Sequence, residues 1–150
     1  MDANLLKEVA CRYLLQRRRM AVSFEVGLVK RGRLRADVLG LNLRRNVVIV
    51  ETKSSIGDLR SDKKWHKYLP LCSQFYFCLD VPTYNKGRHL IPEDSGAGIM
   101  VVGSSGKMTI VRPAKTRPLD TETLLNLSLR LNYRSSDRQR YSIKAGKIRN

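Results

Sequence analysis

Long apolar runs are missing from this chain. None approaches the roughly 20 residues needed to span a bilayer, and the opening MDANLLKEVA lacks the charged-then-apolar order of a secretory signal. Both absences argue against a membrane protein and favour a cytoplasmic one. Acidic residues are scarce as well: 13 Asp and Glu stand against 29 Lys and Arg, a formal charge of +16. A field of that sign favours a polyanionic partner, and without a membrane span nucleic acid is the better expectation. The cysteines Cys11, Cys72 and Cys78 form no C-x-x-C pair, and His66 and His89 are too few to complete a zinc site with them. Nor does either histidine stand at a spacing to Ser or Cys that suggests a triad. Cys72 and Cys78 read as small buried hydrophobes, and an odd number of thiols suits a reducing cytosol.

What the chain does have is enough length, 150 residues, and enough apolar content, 42%, for one globular domain with a proper core. NLLKEVACRYLLQRRR places Leu5, Leu6, Val9, Tyr13 and Leu14 along a helical stripe and closes on three arginines. MAVSFEVGLV, LRADVLGLN and NVVIVETK read as three strands with short turns, an antiparallel meander. SSIGDLRSDKKWHKYL reads as one helix, capped by Ser55 and stopped by Pro70. SQFYFCLDV is then a buried strand, parallel to the one before the helix. PTYNKGRHLIPEDSG follows as a polar loop with one turn of helix near Pro92, and AGIMVVGSSGKMTIVRP as a hairpin. DTETLLNLSLRLNY forms a capped final helix. The expected order is α-β-β-β-α-β-β-β-α, a mixed sheet flanked by helices over residues 1–133, with 134–150 a basic, mobile tail.

The chemistry concentrates at the ends of two strands. Asp37 and Glu51 are separated by thirteen residues, and Lys53 follows Glu51 on the same face. If the two strands pair through the LNLRRN turn, the two acids meet at one end of the hairpin. Two close carboxylates stay ionised together only with a cation between them. Mg²⁺ suits such a place, since it takes one or two carboxylates plus waters and substrate phosphate. Lys53 would orient or help deprotonate an attacking water, or neutralise charge on a phosphoryl oxygen. The same three residues also fit a solvated strand end with a same-face ion pair.

Other residues bear on that choice. Glu25 on the first strand is a third acid at the same end of the sheet, with an exposed strand residue as the plain alternative. Asp58 and Asp62, four apart on the expected helix, share a face and imply a nearby cation; the helix dipole explains Asp58 better than Asp62. Trp65 reads as core rather than as a base-stacking platform. Arg17, Arg18, Arg19, Arg31, Arg33, Arg44 and Arg45 gather at turns and helix ends, where they are either solvated or aligned along phosphate backbone. Arg138, Arg140, Lys144 and Lys147 of the tail are further candidates for phosphate contact.

The pattern D-x₁₃-E-x-K behind an N-terminal helix resembles the PD-(D/E)XK nuclease superfamily. More specifically, RADVLGLN, VVIVETKSSIGDLRSDKKWHKYLPLCSQFYFCLD and AGIMVV resemble the MmcB-like DNA repair family over about residues 22 to 112. Ala36 stands where the superfamily name has proline, a loosely kept position. The resemblance implies a restriction-endonuclease-like core and a Mg²⁺- or Mn²⁺-dependent DNA endonuclease of repair or recombination. Asp37 and Glu51 would hold the metal with the Thr52 carbonyl, and Lys53 would activate water. It places Glu25, Ser55, Asp58, Asp62, Lys64 and Trp65 in a shared signature without assigning their roles. Glu8, on the first helix, would then be either a second-metal acid or a solvated charge. The resemblance also raises a homodimer, and leaves as alternative a DNA-binding module that keeps the fold without cutting.

Overall fold

Helix α1 (Ala3–Gln16) starts where Asp2 accepts a hydrogen bond from the Asn4 amide, and it buries Leu6, Val9, Ala10 and Leu14 along one stripe. Leu5, expected on that stripe, is exposed instead. The helix closes with the Arg17 and Arg18 amides on the Tyr13 carbonyl and the Met20 amide on Leu14. Arg19 between them takes a left-handed φ of 52°. The computed structural model describes residues 1–30 and 33–144, and for 135 and 137–144 the backbone alone.

Strands β1 (Ala21–Gly27), β2 (Arg35–Leu41) and β3 (Val47–Lys53) form the expected antiparallel meander. β4 (Gln74–Asp80) runs parallel to β3, β5 (Gly98–Val102) parallel to β4, and β6 (Met108–Arg112) closes a hairpin with β5. The six strands lie in sequence order in one mixed sheet, consistent with a restriction-endonuclease-like core. Both faces are covered. α1 packs over Val38, Val48, Val50, Tyr76 and Cys78, while Val47, Ile49, Phe75, Phe77 and Leu79 pack into a second core on the opposite face. β3 is therefore buried on both sides, which is why its apolar residues run without alternation. Cys72 and Cys78 are buried, and burial pushes both thiols up to about 12.

Three expectations are corrected. Residues 55–70 do not form one helix: α2 (Ile56–Ser61) ends at Asp62, whose extended backbone breaks it, and a 3₁₀ stretch (Trp65–Leu71) follows with Pro70 inside it. Asp62 Oδ1 accepts from the Lys64 and Trp65 amides, a local bond that competes with the helix. The loop expected after β4 begins instead with helix α3 (Val81–Gly87), capped by Asp80 on the Thr83 amide with Pro82 in its first turn. The last helix, α4 (Thr121–Lys144), runs on past Arg134, because no glycine or proline interrupts those residues. Among the described residues no helix is long and apolar enough to cross a membrane.

Candidate active site

The pairing of β2 with β3 stops at Val38 opposite Val50. Beyond that point side chains replace the ladder. The Asp37 amide donates to Glu51 Oε1 at 3.0 Å, and the Thr52 amide and hydroxyl donate to Asp37 Oδ2 at 2.9 and 3.0 Å. Each acid is thus fixed on the other strand's backbone and keeps its second oxygen outside these bonds.

β1 is distorted beside this point. Glu25 has a φ of 53°, a left-handed conformation uncommon for a residue with a side chain. Phe24 pairs with Val38 and Val26 with Ala36, leaving Glu25 and Asp37 opposite one another outside the ladder. Residues two apart on a strand ordinarily share a face. Yet Phe24 and Val38 pack on the α1 side, and Val26 and Ala36 on the other. The acids stand at the point where the faces change over.

Asp37, Glu51, Thr52 and Lys53 line an open cleft of about 440 Å³ together with Lys7, Arg33, Asp58, Asp62, Lys64 and Tyr68. Glu51 is 6% exposed. Burial first, and the neighbouring Asp37 second, push its carboxyl up to about 8. Lys53 Nζ reaches Asp62 Oδ2 at 2.8 Å, so the cation next to Asp62 is Lys53. Asp62 in turn is held by the amides of Lys64 and Trp65. Ser55 caps α2 by accepting from the Asp58 amide at 3.1 Å. Trp65 is buried in the core against Phe75 and Phe77.

Glu25 does not line the cleft. Its carboxylate takes Lys7 Nζ on one oxygen and Arg35 Nε, at 3.3 Å, on the other. Glu8 is exposed and likewise outside the lining. Arg17, Arg18, Arg19 and Arg44 gather elsewhere, at the far end of the sheet, with Arg45 in the same turn. Arg31 and Lys147, and the side chains of Arg138, Arg140 and Lys144, lie outside the described residues.

Two residues of the cleft escape sequence reasoning. Lys7 comes from α1, whose rotation over the sheet has no local signal; its ammonium is favoured by the Glu25 hydrogen bond, opposed by burial, and favoured again by Asp37 and Glu51. Tyr68 donates to the Arg35 carbonyl at 2.9 Å, and burial together with Glu51 and Asp37 pushes its phenol up. Its signal was its place three residues after Trp65, within a stretch otherwise read as helix.

Among the described residues no three His, Cys, Asp or Glu side chains group closely enough to hold an ion by themselves. The donor set is instead a pair: one desolvated carboxyl that resists ionising beside a second acid. That is the situation a divalent cation relieves, and Mg²⁺ or Mn²⁺ needs only one or two carboxylates when waters and phosphate complete its shell.

The description "DNA repair protein MmcB-like" fits residues 2–144, nearly the whole chain, from α1 through α4. The chain belongs to the MmcB-like DNA repair family. Its match takes in both terminal helices, beyond the motifs that first suggested it. Among solved structures, a protein of unknown function from Silicibacter pomeroyi, SPO1766, is similar at 20% identity with a TM-score of 0.77, covering 100% of this chain and 97% of that one. The SfsA protein of Pyrococcus furiosus, solved in complex with Ca²⁺, is similar at 17% identity with a TM-score of 0.40, over 77% of this chain and 65% of that one. No curated protein matches the sequence. Membership of the family makes the function DNA-related.

Proposed function

We propose that this MmcB-like chain is a metal-dependent DNA endonuclease that hydrolyses phosphodiester bonds in repair or recombination. The observation that supports it is the crossed pair Asp37–Glu51, two acids built into the backbone of an opened sheet rather than left on its surface. Asp37 and Glu51, with the Thr52 carbonyl, would hold Mg²⁺ or Mn²⁺. The bound ion supplies charge neutralisation at the phosphoryl group and a more acidic water.

The chain's own groups do the rest. Paired with the Asp62 carboxylate, Lys53 would orient the water and stabilise charge on a phosphoryl oxygen. Lys7 adds a second cation to the cleft, and Glu25 positions it from behind. Asp62 keeps Lys53 on the cleft side of β3.

The Lys53–Asp62 bond also favours a second reading, a DNA-binding module without cleavage, because it satisfies the lysine within the protein. One experiment separates the two. Plasmid, nicked, flapped and single-stranded DNA are incubated with the protein and Mg²⁺, Mn²⁺ or EDTA. Metal-dependent cleavage that vanishes in Asp37→Ala and Glu51→Ala is the expected result. Tight binding without cleavage of any substrate, unchanged by either substitution, leaves the binding module.

A further inference from the structure

Two of the elements that build the acid cleft, α1 and the β2–β3 hairpin, also build a second cleft at their other ends. It encloses about 670 Å³ and is lined by Arg17, Arg18 and Arg19 from the end of α1 and by Asn42, Leu43 and Arg44 from the β2–β3 turn, with Asn46 at its side. No acidic residue lines it, and none of these arginines has a carboxylate partner among the ion pairs of the described residues. Like charges gathered in one cleft raise the local positive potential, which attracts an anion.

The cleft is also set in place. Arg18 Nη2 donates to Gln74 Oε1 at 2.8 Å, anchoring the guanidinium to the first residue of β4. Asn42 Oδ1 accepts from the Arg44 and Asn46 amides at 3.0 and 3.1 Å, which fixes the turn. Arg19 and Arg45 hold left-handed φ values of 52° and 66°. With Glu25 they are the non-glycine residues of positive φ among those described. Such conformations cost on the order of 1 kcal/mol or more and persist where the surroundings impose them. Here they flank one cleft.

We infer that this arginine cleft is a second phosphate-binding site, which grips the backbone of duplex DNA away from the acid cleft. It rests on the DNA reading of the acid cleft but not on cleavage there. Spacing supports it. Lys7 and Arg17 are ten residues apart on one helix, so at about 1.5 Å per residue the two clefts stand roughly 15 Å apart. That is close to half a turn of duplex, about 17 Å. One DNA segment lying along α1 therefore meets both. The guanidinium fork matches phosphate geometry, which suits arginine rather than lysine here. Leu43, fully exposed at the tip of the turn, stands beside the arginines as an apolar point against a groove.

The test is equilibrium binding in EDTA, on the Asp37→Ala background, so that no cleavage intervenes. A fluorescent duplex is titrated with the full chain and with a variant carrying Arg17→Ala, Arg18→Ala, Arg19→Ala and Arg44→Ala. Near 0.1 M salt the variant is expected to bind at least about 10-fold more weakly, and its slope of log K against log salt to fall by up to about 3.6, since each of the four lost phosphate contacts removes about 0.9. Arg44→Glu alone, on an exposed turn, provides a second variant with little risk to folding, and should weaken binding in the same direction. An unchanged salt slope in both variants, with unchanged melting curves, overturns the site. So does arginine-dependent binding to vesicles of anionic phospholipid that DNA fails to displace. If no metal supports cleavage in the parent chain but the slope still falls, the endonuclease reading fails and the phosphate site stands.

Discussion

The two ends of α1 carry charge in opposite ways. At the acid end the charged side chains at the strand ends have partners, while Arg33, Asp58 and Lys64 line the cleft without an ion pair among the described residues. Asp37 and Glu51 are tied to backbone amides across the strands, Lys53 to Asp62, and Lys7 to Glu25. Glu51 and Thr52 are buried, and Lys53 is largely so. At the arginine end the charges have one sign and sit mostly at the surface; Arg18 is anchored by a neutral amide and none by an acid. The acid end spends desolvation on geometry, which the proposed chemistry on one phosphate would require. The arginine end leaves its charge in water, where it acts at long range and exchanges counterions. On the proposed readings, positioning a reacting group and gripping a polymer would be separable jobs, placed at opposite ends of α1 and the β2–β3 hairpin. The contrast also means that substitutions at the two ends should fail in different assays.

The largest expected effect breaks the acid end alone. Asp37→Asn keeps an oxygen to accept from the Thr52 amide and hydroxyl but removes the charge. Cleavage should fall on the order of 10³-fold, measured as single-turnover rate at saturating DNA, while the melting temperature stays level or rises because Glu51 loses its repulsive neighbour. The arginine variant measured the same way should cut at nearly the parent rate once DNA saturates it. Equal losses in both assays for both variants would dissolve the comparison.

The next effect is on stability. Burial and Asp37 raise the folded Glu51 carboxyl from its ordinary 4.5 to about 8. Between those values the folded chain holds a proton that the unfolded chain has released, so stability falls as pH rises through that window and is level outside it. At about 1.4 kcal/mol per pH unit the loss from pH 5 to 8 amounts to a few kcal/mol. Melting curves in EDTA should show that decline in the parent and a flatter profile in Glu51→Gln. Added Mg²⁺ should raise the parent's melting temperature at pH 8 and hardly at pH 5, where the carboxyl keeps its proton. Parallel pH profiles for parent and variant would count against Glu51 as the titrating group.

How much of this was legible follows from range. Asp37 and Glu51 sit on a hairpin with a short turn, and hairpin register is a local matter, so spacing alone brings them together. The apolar run Val47–Val50 identifies a strand buried on both faces for an equally local reason. The break at Asp62 is not legible locally, because a side chain accepting from the amides two and three residues on outweighs a helical pattern that continues on paper. Helix α3 was hidden behind turn-like residues, although Asp80 followed by Val81 and Pro82 is a capping signal. The left-handed Glu25 and the arrival of Lys7 depend on how α1 and β1 meet the sheet, contacts between distant residues that no short window contains.

A smaller effect sharpens the acid end. Asp62 touches no cleft acid; it holds Lys53. Asp62→Asn keeps acceptors for the Lys64 and Trp65 amides but weakens the ion pair, and a positioning role predicts a loss of about 10- to 100-fold in cleavage with DNA affinity unchanged. The rate should also become less dependent on Lys53, so that Lys53→Met in the Asp62→Asn background costs a smaller factor than in the parent. Equal factors would mean that the two residues act independently.

The smallest effect lies at the arginine end and separates stability from binding. Arg19 holds φ 52° two residues past the C-cap of α1, Arg17, a left-handed conformation that glycine adopts without strain. Its side chain is exposed and is not part of the helix's own packing. Arg19→Gly removes the backbone strain and one cation together. The expected result is a gain of up to about 1 kcal/mol in stability by denaturant melt, with the salt slope for duplex binding reduced by about 1 and the single-turnover cleavage rate at saturation unchanged. A chain that becomes more stable while gripping DNA less well is what a strained binding residue predicts. A stable variant with its full salt slope would show instead that Arg19 ends a helix and contacts no phosphate.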